Sequence, residues 1–137
     1  MWRYYALFSA IFAALTAILA KVGIKGINEN LATAIRTVVV LLMAWGIVFT
    51  YGDQKHLKDL SRNNILFLAA SGVATGLSWI FYFKALETGP VSKVAPIDKL
   101  SVAIAIALSA MILGKRLDWK TAMGAALILA GTLVLVL

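Results

Sequence analysis

The chain has 137 residues, of which 62% are hydrophobic and 14% charged, with a mean hydropathy of +0.92. A soluble domain carries about 25% charged residues, so this composition excludes an ordinary water-soluble fold. The formal net charge of +7 sits at the ends of long apolar runs, which points to lipid headgroups and membrane orientation and away from nucleic acid.

The expected architecture is an all-α membrane protein, a bundle of five transmembrane helices in one domain over residues 1–137. The first span is expected at about 4–22. Arg3 followed by an apolar stretch resembles a signal peptide, but the stretch is long for a signal core and Lys21 follows it, so a retained helix is expected. Ser9, Ala13, Thr16 and Ala20 make a small and polar stripe along it. The second span, about 31–51, carries Thr33, Thr37 and Ala44 near Arg36. The segment GDQKHLKDLSRNN reads as a solvated loop with room for a short interfacial helix, and it holds the single histidine, His56.

The third span, about 65–85, shows the clearest periodicity. Ser71, Thr75, Ser78 and Tyr82 recur at three- and four-residue spacing and so share one face. Beside them run Gly72, Gly76, Trp79 and Phe83, and the Gly72–Gly76 pair is a GxxxG motif that lets another helix approach closely. The fourth span is expected at about 94–113, with a stripe of Asp98, Ser101, Ala105 and Ser109. The fifth runs from about 121 to 137. Stripes of this kind serve helix packing; their recurrence on four spans also suits a shared polar interior.

Charged residues inside spans are sharper signals, because each costs about 2.5–3.5 kcal/mol on insertion scales and must pair or face a cavity. Arg36, Asp98 and Lys99 lie about a turn and a half inside their spans, toward the same membrane face. Two readings stay open. In one, Arg36 pairs with Asp98 and Lys99 snorkels to the headgroups. In the other, they form a substrate or proton site, with Pro96 loosening the helix beside it. Arg36 and Lys99 would then bind an anionic group, Asp98 would couple protons or bind a cation, and Ser78, Trp79 and Tyr82 would line the pocket. There is no cysteine, no metal-ligand spacing, no phosphate cradle and no nucleophile–base pair, so no metal site, cofactor or enzymatic activity is expected.

An odd span count puts the termini on opposite sides. Arg3, Lys55, Lys58, Arg62, Lys115, Arg116 and Lys120 then face Lys21, Lys25, Lys84 and Lys93 across the membrane. The excess favours a cytoplasmic N-terminus, in a cell (plasma or inner) membrane, by a small margin.

The stretch GPVSKVAPIDKLSVAIAIALSAMILGKRL at 89–117 resembles the EamA domain of the drug/metabolite transporter superfamily, with its glycine–proline turn, its Ala-Pro helix and a basic loop before the last span. In that loop Gly114-Lys115-Arg116 has lysine where the family usually has an acidic residue. NLATAIRT at 30–37 and GLSWIFYFKAL at 76–86 resemble the matching segments of short, single-repeat members. The resemblance implies a half-size secondary transporter of a small metabolite or drug. Longer relatives join two such repeats in inverted topology, so one repeat implies a homodimer, with both parallel and antiparallel arrangements open. The alternative function is a non-transporting membrane subunit or scaffold.

Overall fold

The computed structural model describes residues 1–137, and all of its regular structure is helical. The elements in order are α1 (Trp2–Gly23), α2 (Glu29–Tyr51), a 3₁₀ helix (Asp53–Asp59), α3 (Arg62–Thr88), α4 (Val91–Asp98), α5 (Leu100–Ile112) and α6 (Trp119–Val136). With α4 and α5 taken together as Val91–Ile112, five helices are long and apolar enough to cross a membrane. Their outward residues are large and apolar: Phe67 is 77% exposed and Met111 80%. In water such surface would drive collapse. Against acyl chains it costs nothing, and contact between spans then rests on close packing and polar bonds.

Helix ends are set by local chemistry. Asn28 caps α2, its side chain accepting from the Asn30 and Leu31 N–H groups at 2.9 and 3.3 Å. Gly52, at φ 75°, ends α2 in the left-handed region and donates its N–H to the Val48 carbonyl. The Ser61 hydroxyl accepts from the Asn64 N–H at 3.1 Å at the start of α3. Asp118 caps α6 by accepting from the Thr121 N–H at 3.2 Å. The polar segment, read as a solvated loop with room for a short helix, carries the 3₁₀ helix in its first half, where the His56 ring faces Asp59 at 3.4 Å.

The contacts fall into two units, Met1–Leu19 with Thr88–Leu137, and Ala20–Glu87. In the Ala20–Glu87 unit, the buried residues collect where α1 ends, α2 begins and α3 ends: Ala20, Ile24, Ala32, Thr33, Phe83 and Leu86. Lys21 ties this end together by donating its ammonium to the Leu86 carbonyl. In the other unit α6 packs against α4 and α5, and Val94, Ala103 and Thr132 are buried there.

The fourth span departs from the continuous helix read over 94–113. It starts earlier, at Val91, and is broken at Lys99. Pro96 explains the break. It has no N–H to give the Ser92 carbonyl, and its ring crowds the preceding turn. The Lys99 N–H is drawn toward both the Ala95 and Pro96 carbonyls, at 3.3 and 3.1 Å, and the Val102 N–H bonds the Lys99 carbonyl at 3.0 Å. These tight bonds close one helix and start the next with Lys99 as the shared residue. The Thr132 hydroxyl of α6 donates to the Pro96 carbonyl at 3.3 Å, so a polar side chain meets the backbone where the ladder is disturbed.

Candidate functional site

The expected site residues divide between the two units. In the Ala20–Glu87 unit, Arg36 stands seven residues into α2, about 10 Å from its start at the helical rise. Trp79 and Phe83 are one turn apart on one face of α3, and the Arg36 guanidinium carbon lies 5.0 Å from each ring centroid. Phe83 is buried, whereas Trp79 and Arg36 are half-buried. Tyr82, in the adjoining stripe, is also half-buried. Arg36 Nη1 is buried and has no hydrogen-bond partner. A desolvated cation–π contact contributes about 2 kcal/mol, and a buried donor left unmade costs about 1–3 kcal/mol. The two rings therefore offset the burial of the charge but leave its Nη1 donor unmet.

The hydroxyls beside Arg36 on α2 are turned to their own backbone. Thr33 donates to the Glu29 carbonyl at 2.9 Å and Thr37 to the Thr33 carbonyl at 2.7 Å. On α3, Ser71, Thr75 and Ser78 are exposed, and the Thr75 hydroxyl bonds the Ser71 carbonyl at 2.9 Å. A Cβ added at Gly72 or Gly76 would meet no atom within 4 Å, so within the Ala20–Glu87 unit no helix makes the close approach that GxxxG allows.

In the other unit, Pro96, Asp98 and Lys99 gather at the α4–α5 break. The partner the structure gives Asp98 is its neighbour: Lys99 Nζ lies 3.3 Å from the Asp98 carboxylate. Lys99 is thus tied to a carboxylate at the break, and the side chains are 56% and 36% exposed, Lys99 the more open. Farther along α4 toward its start, Lys93 donates to the Val136 carbonyl at 3.1 Å. This satisfies one of the last carbonyls of α6, where a cation also complements the helix dipole.

Two residues that matter to these arrangements were not among the expected site residues. Phe83 was visible as the i+4 partner of Trp79, a spacing that places two rings on one helical face. Thr132 is the only hydroxyl in the second half of α6, and a lone polar residue in an apolar span is a signal that something polar lies opposite.

Together these features give an integral membrane protein with an aromatic-clasped cation in one unit and an ion pair on a broken span in the other. A protein of Sinorhizobium sp described as an uncharacterized transporter in cobO 3'region is 46% identical over 134 residues, covering 98% of this chain and 95% of that protein. No solved structure gives a significant match. Residues 1–137 match the EamA-like transporter family along their whole length, and the chain belongs to that family.

Proposed function

We propose that the chain is a half-size secondary transporter that carries a small metabolite or drug across the cell membrane as a homodimer. The observation that carries this reading is the broken fourth span. A scaffold gains nothing from an ion pair set at a proline-tightened turn within a span, whereas transporters place charged groups at irregular turns of their spanning helices, where a solute can meet them. Asp98 is the candidate for proton coupling, and Pro96 and Lys99 shape the break around it. Arg36, Ser78, Trp79 and Tyr82 are the candidates for solute contact.

Pairing is supported by α3. Gly72 and Gly76 have open space where a neighbouring backbone fits, and the flanking hydroxyls are exposed. The small excess of basic residues on the N-terminal side favours a cytoplasmic N-terminus in any one copy, yet it is weak enough to permit insertion both ways. An antiparallel pair would make inward- and outward-facing states equivalent by symmetry.

Uptake by proteoliposomes across a panel of metabolites, with and without a proton gradient, tests the transport reading. At least one solute should accumulate only with the gradient. No uptake of any panel member, in vesicles whose protein is folded and inserted, favours the membrane-subunit alternative. Adding lysines at the C-terminus tests the antiparallel pair. A forced single orientation should abolish uptake, and co-expressing an oppositely biased copy should restore it.

A further inference from the structure

We infer that Arg36 is the receptor for an oxyanion, a carboxylate or phosphate borne by the transported solute; this rests on the transporter reading above and names the chemistry of its solute. The cations near the helix breaks and ends are not equivalent. Lys99 has the Asp98 carboxylate at 3.3 Å. Lys21 donates to the Leu86 carbonyl, and Lys93 donates to the Val136 carbonyl at 3.1 Å. Arg36 instead has two aromatic rings, each 5.0 Å from its guanidinium carbon, and an Nη1 that is buried with no acceptor.

Aromatic faces attract a cation but cannot take the in-plane N–H bonds of a guanidinium. The hydroxyls of Thr33 and Thr37 each donate to a backbone carbonyl, so no side chain on α2 has been recruited to that edge. What the clasp by Trp79 and Phe83 leaves unmet is the Nη1 donor, one arm of a planar guanidinium fork that the rings hold in place. That fork matches the two oxygens of a carboxylate or phosphate. Because the side chain is already ordered by the rings, little of its rotamer freedom remains to be lost on binding. The surroundings carry the complementary sign. Around the same end of the unit lie Lys21, Lys25 and Lys84 with Arg36, against the carboxylates of Glu29 and Glu87. This excess draws anions toward the membrane face from which Arg36 is about 10 Å deep. An anionic lipid headgroup has the same oxyanion chemistry, and the test separates it from a solute.

The test uses the full chain with Trp79 as its sole tryptophan (Trp2→Phe, Trp45→Phe and Trp119→Phe), held in nanodiscs of zwitterionic phosphatidylcholine. Sodium benzoate and inorganic phosphate are titrated at constant ionic strength with chloride as the control anion, and Trp79 emission is read. A saturable response to benzoate or phosphate, absent with chloride, is expected. Arg36→Lys keeps the charge but not the fork, and should weaken the apparent affinity about tenfold. Arg36→Gln should abolish the response. An unchanged affinity in Arg36→Lys, or an unchanged response in a folded Arg36→Gln, overturns the proposal. If anionic phosphatidylglycerol in the nanodisc itself produces the response and blocks that of the solutes, the receptor belongs to lipid and the solute assignment falls. Nanodiscs hold no gradient, so binding is read independently of transport. Saturable binding with no uptake of any oxyanion would sink the transporter reading alone, and proton-driven uptake with no Trp79 response would sink the receptor alone.

Discussion

The two units handle interior charge in opposite ways. At the α4–α5 break the charge is answered locally, by a carboxylate and an ammonium on adjacent residues 3.3 Å apart. In the Ala20–Glu87 unit the charge of Arg36 is answered by ring faces, and its Nη1 donor is left unmet. A pair of opposite charges on adjacent residues carries no net charge. A lone guanidinium keeps its charge at any physiological pH. In the proposed transporter, the first arrangement couples protons and the second binds an anion.

The largest expected effect breaks the aromatic side of this comparison. Phe83 is 2% exposed, so Phe83→Ala removes both a packed ring and one face of the Arg36 clasp. The loss of stability should be about 3 kcal/mol, read by thermal or denaturant unfolding in detergent. Trp79→Leu should cost about 1–2 kcal/mol, because a half-buried ring loses its cation contact but little core. If the contact is the cause, Arg36→Leu should cancel most of the Trp79→Leu effect in a double-mutant cycle. Additive losses would mean that the rings pack for their own sake.

The ionic side should respond in the reverse proportion. Asp98 and Lys99 are 36% and 56% exposed, so their pairing contributes about 1 kcal/mol or less to stability. Asp98→Asn should therefore leave the protein folded and inserted while reducing proton-driven uptake to background. Adding Lys99→Met removes the unpaired ammonium and should recover the small stability loss without recovering uptake. Proton-dependent uptake by that double mutant would refute the coupling role.

Much of this was legible in the sequence, and the illegible part has a common cause. Five spans follow from apolar run length, because a bilayer demands a minimum length and tolerates few charges. Arg36, Trp79 and Tyr82 were legible as site candidates because a charge inside a span and polar groups at helical spacing are both costly. A loosening at Pro96 was legible too, but its place at Lys99 was not, since the run has continuous hydropathy and the tightened bonds fall three residues after the proline. Nor was the bond that Thr132 of α6 makes to the Pro96 carbonyl from 36 residues away. The extra turns of α3, which reaches from Arg62 to Thr88, were hidden for a related reason: helices continue past the apolar core wherever polar residues still bond their backbone. Hydropathy reports burial in lipid and carries no record of long-range hydrogen bonds.

The smallest effect supplies the control that the comparison needs, because acid can act on this protein without touching Asp98. Asp118 caps α6 outside the span, and its hydrogen bonds from the Thr121 side chain and backbone N–H hold its carboxyl below the usual value of 3.8. A carboxyl whose pKa is depressed by folding stabilises the protein fully above its unfolded pKa, and that contribution fades as pH falls through the lower folded value. Stability should thus be level at neutral pH and decline slightly once the pH drops below about 4, where an unfolded aspartate begins to hold its proton. Asp118→Asn keeps an acceptor at the cap but removes the titration, so this acid-dependent decline should vanish in melting curves. Uptake against pH should be the same in Asp118→Asn as in the parent chain. If the variant instead shifts the uptake profile, the pH dependence of transport originates at the start of α6, and Asp98 loses its claim to it.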